Sequence, residues 1–372
     1  MSAPQVLITG GAGFIGSHVA HELLAHGYRV RVLDNLTPQV HGPDRRPPDY
    51  LSKEVELIVA DLRDADAVRR ALNGVQSVVH LVAAVGVGQS MYAIEEYTSV
   101  NNLGTAVLVE QISQRPVSRL VVASSMSIYG EGLYRRADGS LSETAERSLD
   151  QLRAADWEPR DETGRVLHPV PTPETKTPSL TSIYALSKYD QERMCLMIGR
   201  VYGIPAVALR FFNAYGPHQA LSNPYTGVLA IFASRLLNGK PPLINEDGRQ
   251  CRDFINVADV ARACRLALES SVSHDVFNIA SGHPITILEV ARRIAAVLDK
   301  DRLQPRITGR YRAGDIRHCF ADVSRARQCL GFSAQLSFET GLTQLAQWLE
   351  RQVISDCVEE SVAELEMRGL MV

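Results

Sequence analysis

Thr9-Gly-Gly-Ala-Gly-Phe-Ile-Gly16 is the stretch on which the fold turns. The β-rich run Val6–Thr9 leads into it. Phe14–His26 follows, with Ile15, Val19 and Leu23 at helical spacing before Gly27 ends the pattern. Glycines at 10, 13 and 16, with another at 11, satisfy two overlapping spacings of a dinucleotide-binding turn. The demand for glycine is physical. One makes the tight turn, one lets pyrophosphate touch bare backbone, and one brings the helix start against the strand. Free N–H groups at that helix end then hold the phosphates. Asp34 stands twenty-one residues past Gly13, after the second strand-like run Arg29–Leu33. Its carboxylate can accept both ribose hydroxyls and would repel a 2′-phosphate, which points to NAD rather than NADP. Arg29 and Arg31 are expected to face solvent. Asp61-Leu62, after a third strand, is placed to close on adenine; the alternative is a helix N-cap by Asp61 or Asp64.

Working outward, Glu56–Val59, Ser77–Val82 and Arg119–Ala123 read as further strands, with helical stretches near Asp64–Leu72 and Ser99–Gln114. Runs such as Leu120-Val-Val-Ala123 are apolar throughout, as in parallel strands covered on both faces. The expected fold class is α/β: a Rossmann-type doubly wound parallel sheet with a second, smaller α/β lobe for substrate. A chain of 372 residues suits two lobes. Residues 1–212 are assigned to the dinucleotide domain, interrupted by a charged, proline-rich segment at 131–182. The segment at about 252–280 is expected to return to that domain. Residues 213–251 and 281–352 form the smaller lobe. The tail, 353–372, is read as a surface helix or a frayed end.

Composition excludes several classes. With 45% hydrophobic and 22% charged residues the chain is globular in type. Lys+Arg 39 against Asp+Glu 42 gives a net charge of −3, without the basic excess of a nucleic-acid binder. Apolar runs fall short of a bilayer span, and no signal peptide is visible. Six cysteines form no Cys-x-x-Cys and no zinc spacing, so no metal is expected. A reduced, cytoplasmic protein without a membrane partner is the expectation.

Tyr184-Ala-Leu-Ser-Lys188 sets a phenol and an ammonium four residues apart, on one face of a helix. A free phenol, with a pKa of about 10, is a poor base at neutral pH, and a nearby buried cation lowers it. Upstream, the strand Leu120–Ala123 runs into Ser124-Ser-Met-Ser-Ile-Tyr-Gly130. Hydroxyls at the carboxyl end of a parallel strand lie where such folds bind ligands. There a serine can relay a substrate proton to Tyr184.

These stretches resemble the extended short-chain dehydrogenase/reductases that act on nucleotide sugars, close to the 4-epimerases and 4,6-dehydratases. The likeness spans roughly residues 5–350. It includes His80-Leu-Val-Ala-Ala84, Asn101-Asn-Leu-Gly-Thr105, Arg210-Phe-Phe-Asn-Ala-Tyr-Gly-Pro217, Asp247-Gly-Arg-Gln-Cys-Arg-Asp-Phe254, Asn278-Ile-Ala-Ser-Gly282 and Arg312-Ala-Gly-Asp315. The resemblance implies that Tyr184 is the base and acid, Lys188 its activator and a ribose contact, and Ser125 the hydroxyl orienting the sugar. NAD would meet Gly10, Gly13, Phe14, Ile15, Gly16, Asp34, Asn35, Asp61, Leu62, Leu81, Ala83, Ala84, Asn101, Ser124, Tyr184 and Lys188. The nucleotide sugar would meet Ser125, Ser127, Asn213, Val228, Arg252, Arg312 and Asp315, the guanidinium forks suiting a diphosphate.

The family's shared step removes hydride from C4. Dehydratases then need an acid and a base directly after the catalytic hydroxyl, usually Asp-Glu; here those positions are Met126 and Ser127. A 4-epimerase is therefore the leading reading, with dehydratase or 4-ketoreductase as runner-up and a non-catalytic NAD-binding regulator more remote. Ser124–Gly130 and Ala220–Gly227 are similar to those of dTDP-L-rhamnose 4-epimerases, which makes that sugar the substrate expectation. Asn245-Glu246 replaces the aromatic and glycine that many members place before Asp247-Gly248, leaving the nucleobase open. Segment 131–182 is read either as a lid over the sugar or as surface elaboration. The helices 99–114 and 184–202 carry apolar residues on more than one face, and the resemblance implies a homodimer through them.

Overall fold

A computed structural model describes residues 3–219, 227–312, 314–350, 352 and 358–371. Seven strands form the main sheet: β1 (Gln5–Thr9), β2 (Arg29–Asp34), β3 (Glu56–Val59), β4 (Ser77–His80), β5 (Arg119–Ser125), β6 (Ala206–Phe211) and β7 (Asp275–Ile279). All pair in parallel, in the order β3-β2-β1-β4-β5-β6-β7. The chain reverses direction of travel at the β1/β4 junction. Ligands bind at such a switch point, outside the carboxyl ends of the strands.

The uninterrupted apolar runs have the expected cause: both faces are covered. Val6, Ile8, Val121, Leu209 and Phe277 face helices α1 (Phe14–Ala25) and α5 (Val257–Glu269). Leu7, Leu120, Val122 and Ala208 face α2 (Ala65–Ala71), α3 (Gly104–Gln114) and α4 (Ile183–Val201). The helical stretch expected from Ser99 begins as a π-helical turn, Thr98–Leu103, and becomes α-helical at Gly104.

The smaller lobe packs helices Val228–Leu237, Ile287–Val297 and Phe338–Leu349 around the strands Asn213–Tyr215, Cys251–Asn256 and Pro284–Thr286. Cys251–Asn256 pairs within this lobe, and the chain then crosses at Val257 to lay α5 on α1. Ala326, Leu330 and Phe332 also join the core beside α1 and α5, a return that the sequence pattern did not suggest.

Segment 131–182 is structured. Leu133–Arg135 pairs antiparallel with Leu141–Ser142 and His168–Val170, and Leu149–Arg153 forms a short helix. Backbone bonds tie it to the smaller lobe, from Gly132 N to His318 O and from Thr172 N to Phe320 O, both 2.8 Å. Beneath them Arg317 is wholly buried. It pairs with Glu158 of the segment (2.5 Å) and with Glu246 (2.8 Å) and Asp247 (2.6 Å) of the lobe. Arg147 of the segment reaches Glu246 at 2.7 Å. Pulling such a cluster apart leaves buried charges uncompensated, at a cost of about 3–5 kcal/mol. The segment is therefore fastened to the lobe.

The tail contains a helix, Val358–Met367, that is docked rather than frayed over its described residues. Leu365 is buried beside Gly88, Arg368 lies 4.2 Å over the Tyr92 ring, and Glu366 pairs with Arg310. It thus touches both lobes. No helix among the described residues is long and apolar enough to cross a membrane.

Candidate active site

The Gly-rich turn follows β1 at its carboxyl end. Gly10 has φ 72°, and its N–H donates to Leu33 O at 2.8 Å, closing the turn on β2. A Cβ on Gly16 would lie 2.2 Å from Gly10 O, so α1 can start here only without a side chain. Gly13 differs. It caps α1 with no side-chain hydrogen bond, and a Cβ on it would meet only Gly10 O, at 3.5 Å. The fold itself does not require glycine at 13; its bare backbone leaves the helix N–H groups open to an anionic group. Asp34 accepts from Ala12 N (3.0 Å) and Leu36 N (2.9 Å), which fixes its carboxylate at the edge of this turn. Tyr50, absent from the sequence reading, donates to Ala12 O at 3.3 Å from a distant loop. Arg31 is engaged by Glu56 (2.9 Å) and by the carbonyls of Ala71 and Asn73 (both 2.7 Å), not free in solvent. These features fit a dinucleotide without a 2′-phosphate.

Along the adenosine side, Asn35 donates to Asp61 at 3.2 Å, and Arg63 holds Asp61 with contacts of 2.7 and 2.8 Å. That arginine, against the opposing effect of partial burial, pulls the Asp61 carboxyl down to about 2. Asp64 is the N-cap of α2, so Asp61 is left to face Asn35. Leu62 is buried against Gly104. Asn101 clamps the loop after β4: Ala84 N donates to its Oδ1 at 2.7 Å, and its Nδ2 donates to Ala84 O and to Ser187 Oγ. Leu81, also in that loop, donates its N–H to Thr9 O at 3.0 Å, and Ala83 is half-buried beside it. Phe14 and Ile15 are half-buried at the start of α1.

At the carboxyl end of β5 the three candidate catalytic groups converge. Ser125 Oγ accepts from Ser127 Oγ at 2.8 Å and stands near enough to the Tyr184 phenol to draw its pKa down. Tyr184 sits in the first turn of α4, which Ser182 caps. Its backbone N–H donates to Ser90 Oγ at 3.0 Å, and its ring meets Tyr97 edge to face at 6.4 Å; the sequence reading assigned neither Ser90 nor Tyr97. Burial raises the phenol's pKa, and Ser125 works against it. One turn on, Lys188 is buried, which lowers its pKa to about 8. An ammonium that is still protonated at neutral pH, under a phenol that needs help to ionise, is a workable proton-transfer pair. Ser124 turns away: its hydroxyl donates to Glu192 at 2.7 Å, a carboxylate also gripped by Arg210 at 2.7 Å.

The smaller lobe brings Arg252, Arg312 and Asp315 together. Asp315 lies 3.3 Å from Arg312 and 3.8 Å from Arg252. Burial pushes the Asp315 pKa up, but Arg312, Arg252 and Arg147 outweigh it and hold the group ionised. Arg252 also donates to the carbonyls of Cys251 (2.9 Å), Arg317 (3.0 Å) and Ile316. Asn213 Oδ1 and Arg312 Nε are buried without a hydrogen-bond partner, leaving two polar atoms for a ligand. Val228 opens the helix Val228–Leu237 of the smaller lobe. Residues 220–226, most of the stretch behind the substrate expectation, lie outside the described residues.

A parallel sheet with a glycine turn at its switch point, and a Ser–Tyr–Lys group beside it, defines a nicotinamide-dependent oxidoreductase-type site. The NAD dependent epimerase/dehydratase family matches residues 6–149 and 162–280, and the chain belongs to it. It is an enzyme of the extended short-chain, nucleotide-sugar branch. It is 37% identical to a dTDP-L-rhamnose 4-epimerase of Burkholderia thailandensis, over 94% of this chain and 96% of that one. A UDP-glucose 4-epimerase of Thermotoga maritima, solved with UDP-glucose, superposes with a TM-score of 0.76 at 28% identity, covering 93% of this chain and 99% of the other. The UDP-glucose 4-epimerase of Thermus thermophilus, solved with NAD, does so at 0.73 and 30%, covering 94% and 100%.

Proposed function

We propose that this protein is an NAD-dependent nucleotide-sugar 4-epimerase, with dTDP-L-rhamnose as substrate. The observation that carries the reaction type is the make-up of the site: Ser125, Tyr184 and Lys188 are complete, but Met126 and Ser127 follow. A thioether carries no proton, so these two positions do not supply the acid and base that eliminating water would need. The Burkholderia relative supports the choice of sugar.

The Gly10–Gly16 turn, Asp34 and Lys188 would hold NAD, and NAD when bound supplies reversible two-electron oxidation. The chain's own groups do the proton work. Tyr184 takes the proton of the C4 hydroxyl, Ser125 orients that hydroxyl, and Lys188 stabilises the phenolate. After the 4-keto sugar turns over in the cleft, Tyr184 returns its proton to the new hydroxyl. Arg252, Arg312 and Asn213 grip the diphosphate throughout, so the sugar can rotate without leaving.

Incubation with dTDP-L-rhamnose and a panel of other nucleotide sugars in D₂O is the test. The expected product is a C4 isomer without solvent deuterium. Loss of one water with deuterium at C6 would make it a dehydratase, and stoichiometric consumption of NAD(P)H a ketoreductase. No turnover of any sugar would leave a regulator. We also propose a cytoplasmic homodimer: Leu186, Met197 and Val201 line one exposed face of α4, near exposed Leu103 and Ile94.

A further inference from the structure

Under the catalytic pair lies a buried polar chain to which nothing above gives a role. Lys188 Nζ donates to Gln191 Oε1 at 2.6 Å, three residues along the same helix, and both side chains are buried. The other end of the amide is fixed independently. Gln191 Nε2 donates to Val82 O at 3.1 Å and to Thr105 Oγ1 at 2.8 Å. A carbonyl only accepts and an ammonium only donates. The amide therefore has one orientation, with oxygen toward Lys188.

The chain continues through Thr105 and His80. Thr105 Oγ1 donates to Asn101 O at 2.5 Å and shares a hydrogen bond with His80 Nε2, 2.9 Å away. His80 Nε2 also lies 3.3 Å from Gln191 Nε2, and its Nδ1 shares a hydrogen bond with Thr9 Oγ1 at 2.7 Å. Leu81 N in turn donates to Thr9 Oγ1 at 3.2 Å. A buried network whose members are all hydrogen-bonded is rigid. It runs from the Gly-rich turn's own strand to the catalytic ammonium.

We infer that Gln191 is a positioning residue: it anchors one N–H of Lys188 so that the other two face the cleft, and thereby sets the field that Lys188 exerts on the Tyr184 phenol. The inference rests on the roles given above to Tyr184 and Lys188, and deepens them. Other ionisable groups facing Lys188 do not replace this anchor. Burial pushes the Cys195 thiol up to about 12 and keeps His80 neutral, and Glu192 is already bonded to Ser124 and Arg210. With its pKa only about 8, Lys188 stands close to losing its proton. A buried charged donor without its acceptor is costly, so a cut clamp gives up the proton at lower pH and the phenolate loses its counter-charge.

The test needs no sugar. In NAD-loaded protein, phenolate absorbance is titrated against pH, with Tyr184→Phe as the reference that isolates residue 184. Gln191→Met keeps the size and removes the acceptor. It is expected to raise the Tyr184 midpoint by about one pH unit, a tenfold smaller phenolate fraction at a given pH. Thr105→Val, which loosens the amide without touching Lys188, should shift it the same way by less. A folded, NAD-loaded Gln191→Met protein with the wild-type midpoint would overturn the inference. If Tyr184→Phe removes no distinct titration from the wild-type curve, the role of Tyr184 falls, and this inference with it.

Discussion

At position 80 burial holds the imidazole pKa at about 3, against an ordinary value of 6.5, with the Lys188 charge adding to the effect. Between those values the unfolded chain binds a proton that the native protein refuses. Stability is therefore complete above about pH 6.5 and declines as pH falls through that value toward 3. We predict that the melting temperature drops between about pH 7.5 and 5, and that His80→Asn, less stable at neutral pH, shows a smaller drop. Parallel profiles for the two proteins would show that another group governs the acid limb. At this scale the candidate residues Ser125, Tyr184 and Lys188 were legible in the sequence, because Tyr184 and Lys188 are a local i,i+4 pair and Ser125 ends an apolar strand. Gln191 and His80 were not assigned roles. Apart from the bond between Lys188 and Gln191, their partners lie 25 to 111 residues away, and no local spacing encodes such a chain.

For an element, the strand–turn–helix of residues 5–25 separates two reasons for glycine. A Cβ at 16 would press on Gly10 O and on Gly11 Cα at 2.5 Å, both backbone atoms that cannot step aside. Gly16→Ala should lower the melting temperature even without cofactor. Gly13→Ala should melt within about 0.5 kcal/mol of wild type, as surface changes do. Its NAD affinity should nevertheless fall by about tenfold or more, because the methyl fills space that the pyrophosphate needs. Binding titrations and melting curves of the two variants check this, and wild-type NAD affinity in Gly13→Ala would remove pyrophosphate from that place. The main strands and helices were legible because parallel strands covered on both faces read as unbroken apolar runs. The small β-sheet of 131–182 was not. Its strands are two or three residues long, too short for any alternation to show.

Over the whole molecule, the exposed apolar face of α4 is the feature a monomer has no use for. Met197 and Val201 are 54% and 71% exposed in a helix whose opposite face, at Cys195 and Leu196, is core. The proposed dimer would cover this face. Sedimentation should find a dimer, and Leu186→Glu combined with Met197→Glu should convert it to a monomer with its melting curve little changed. A monomeric wild type at micromolar concentration would end that proposal. By itself, the chain's order of residues determined the sheet, the Gly-rich turn and the placing of the candidate Ser125, Tyr184 and Lys188, because glycine sterics, apolar covering and i,i+4 spacing all act over a few residues. Only the tertiary structure decided how Arg317 fastens 131–182 to the smaller lobe, where the terminal helix docks, and which amide holds Lys188. Those outcomes depend on buried charges and donors finding partners across the chain, and a buried polar group takes whichever partner the fold delivers.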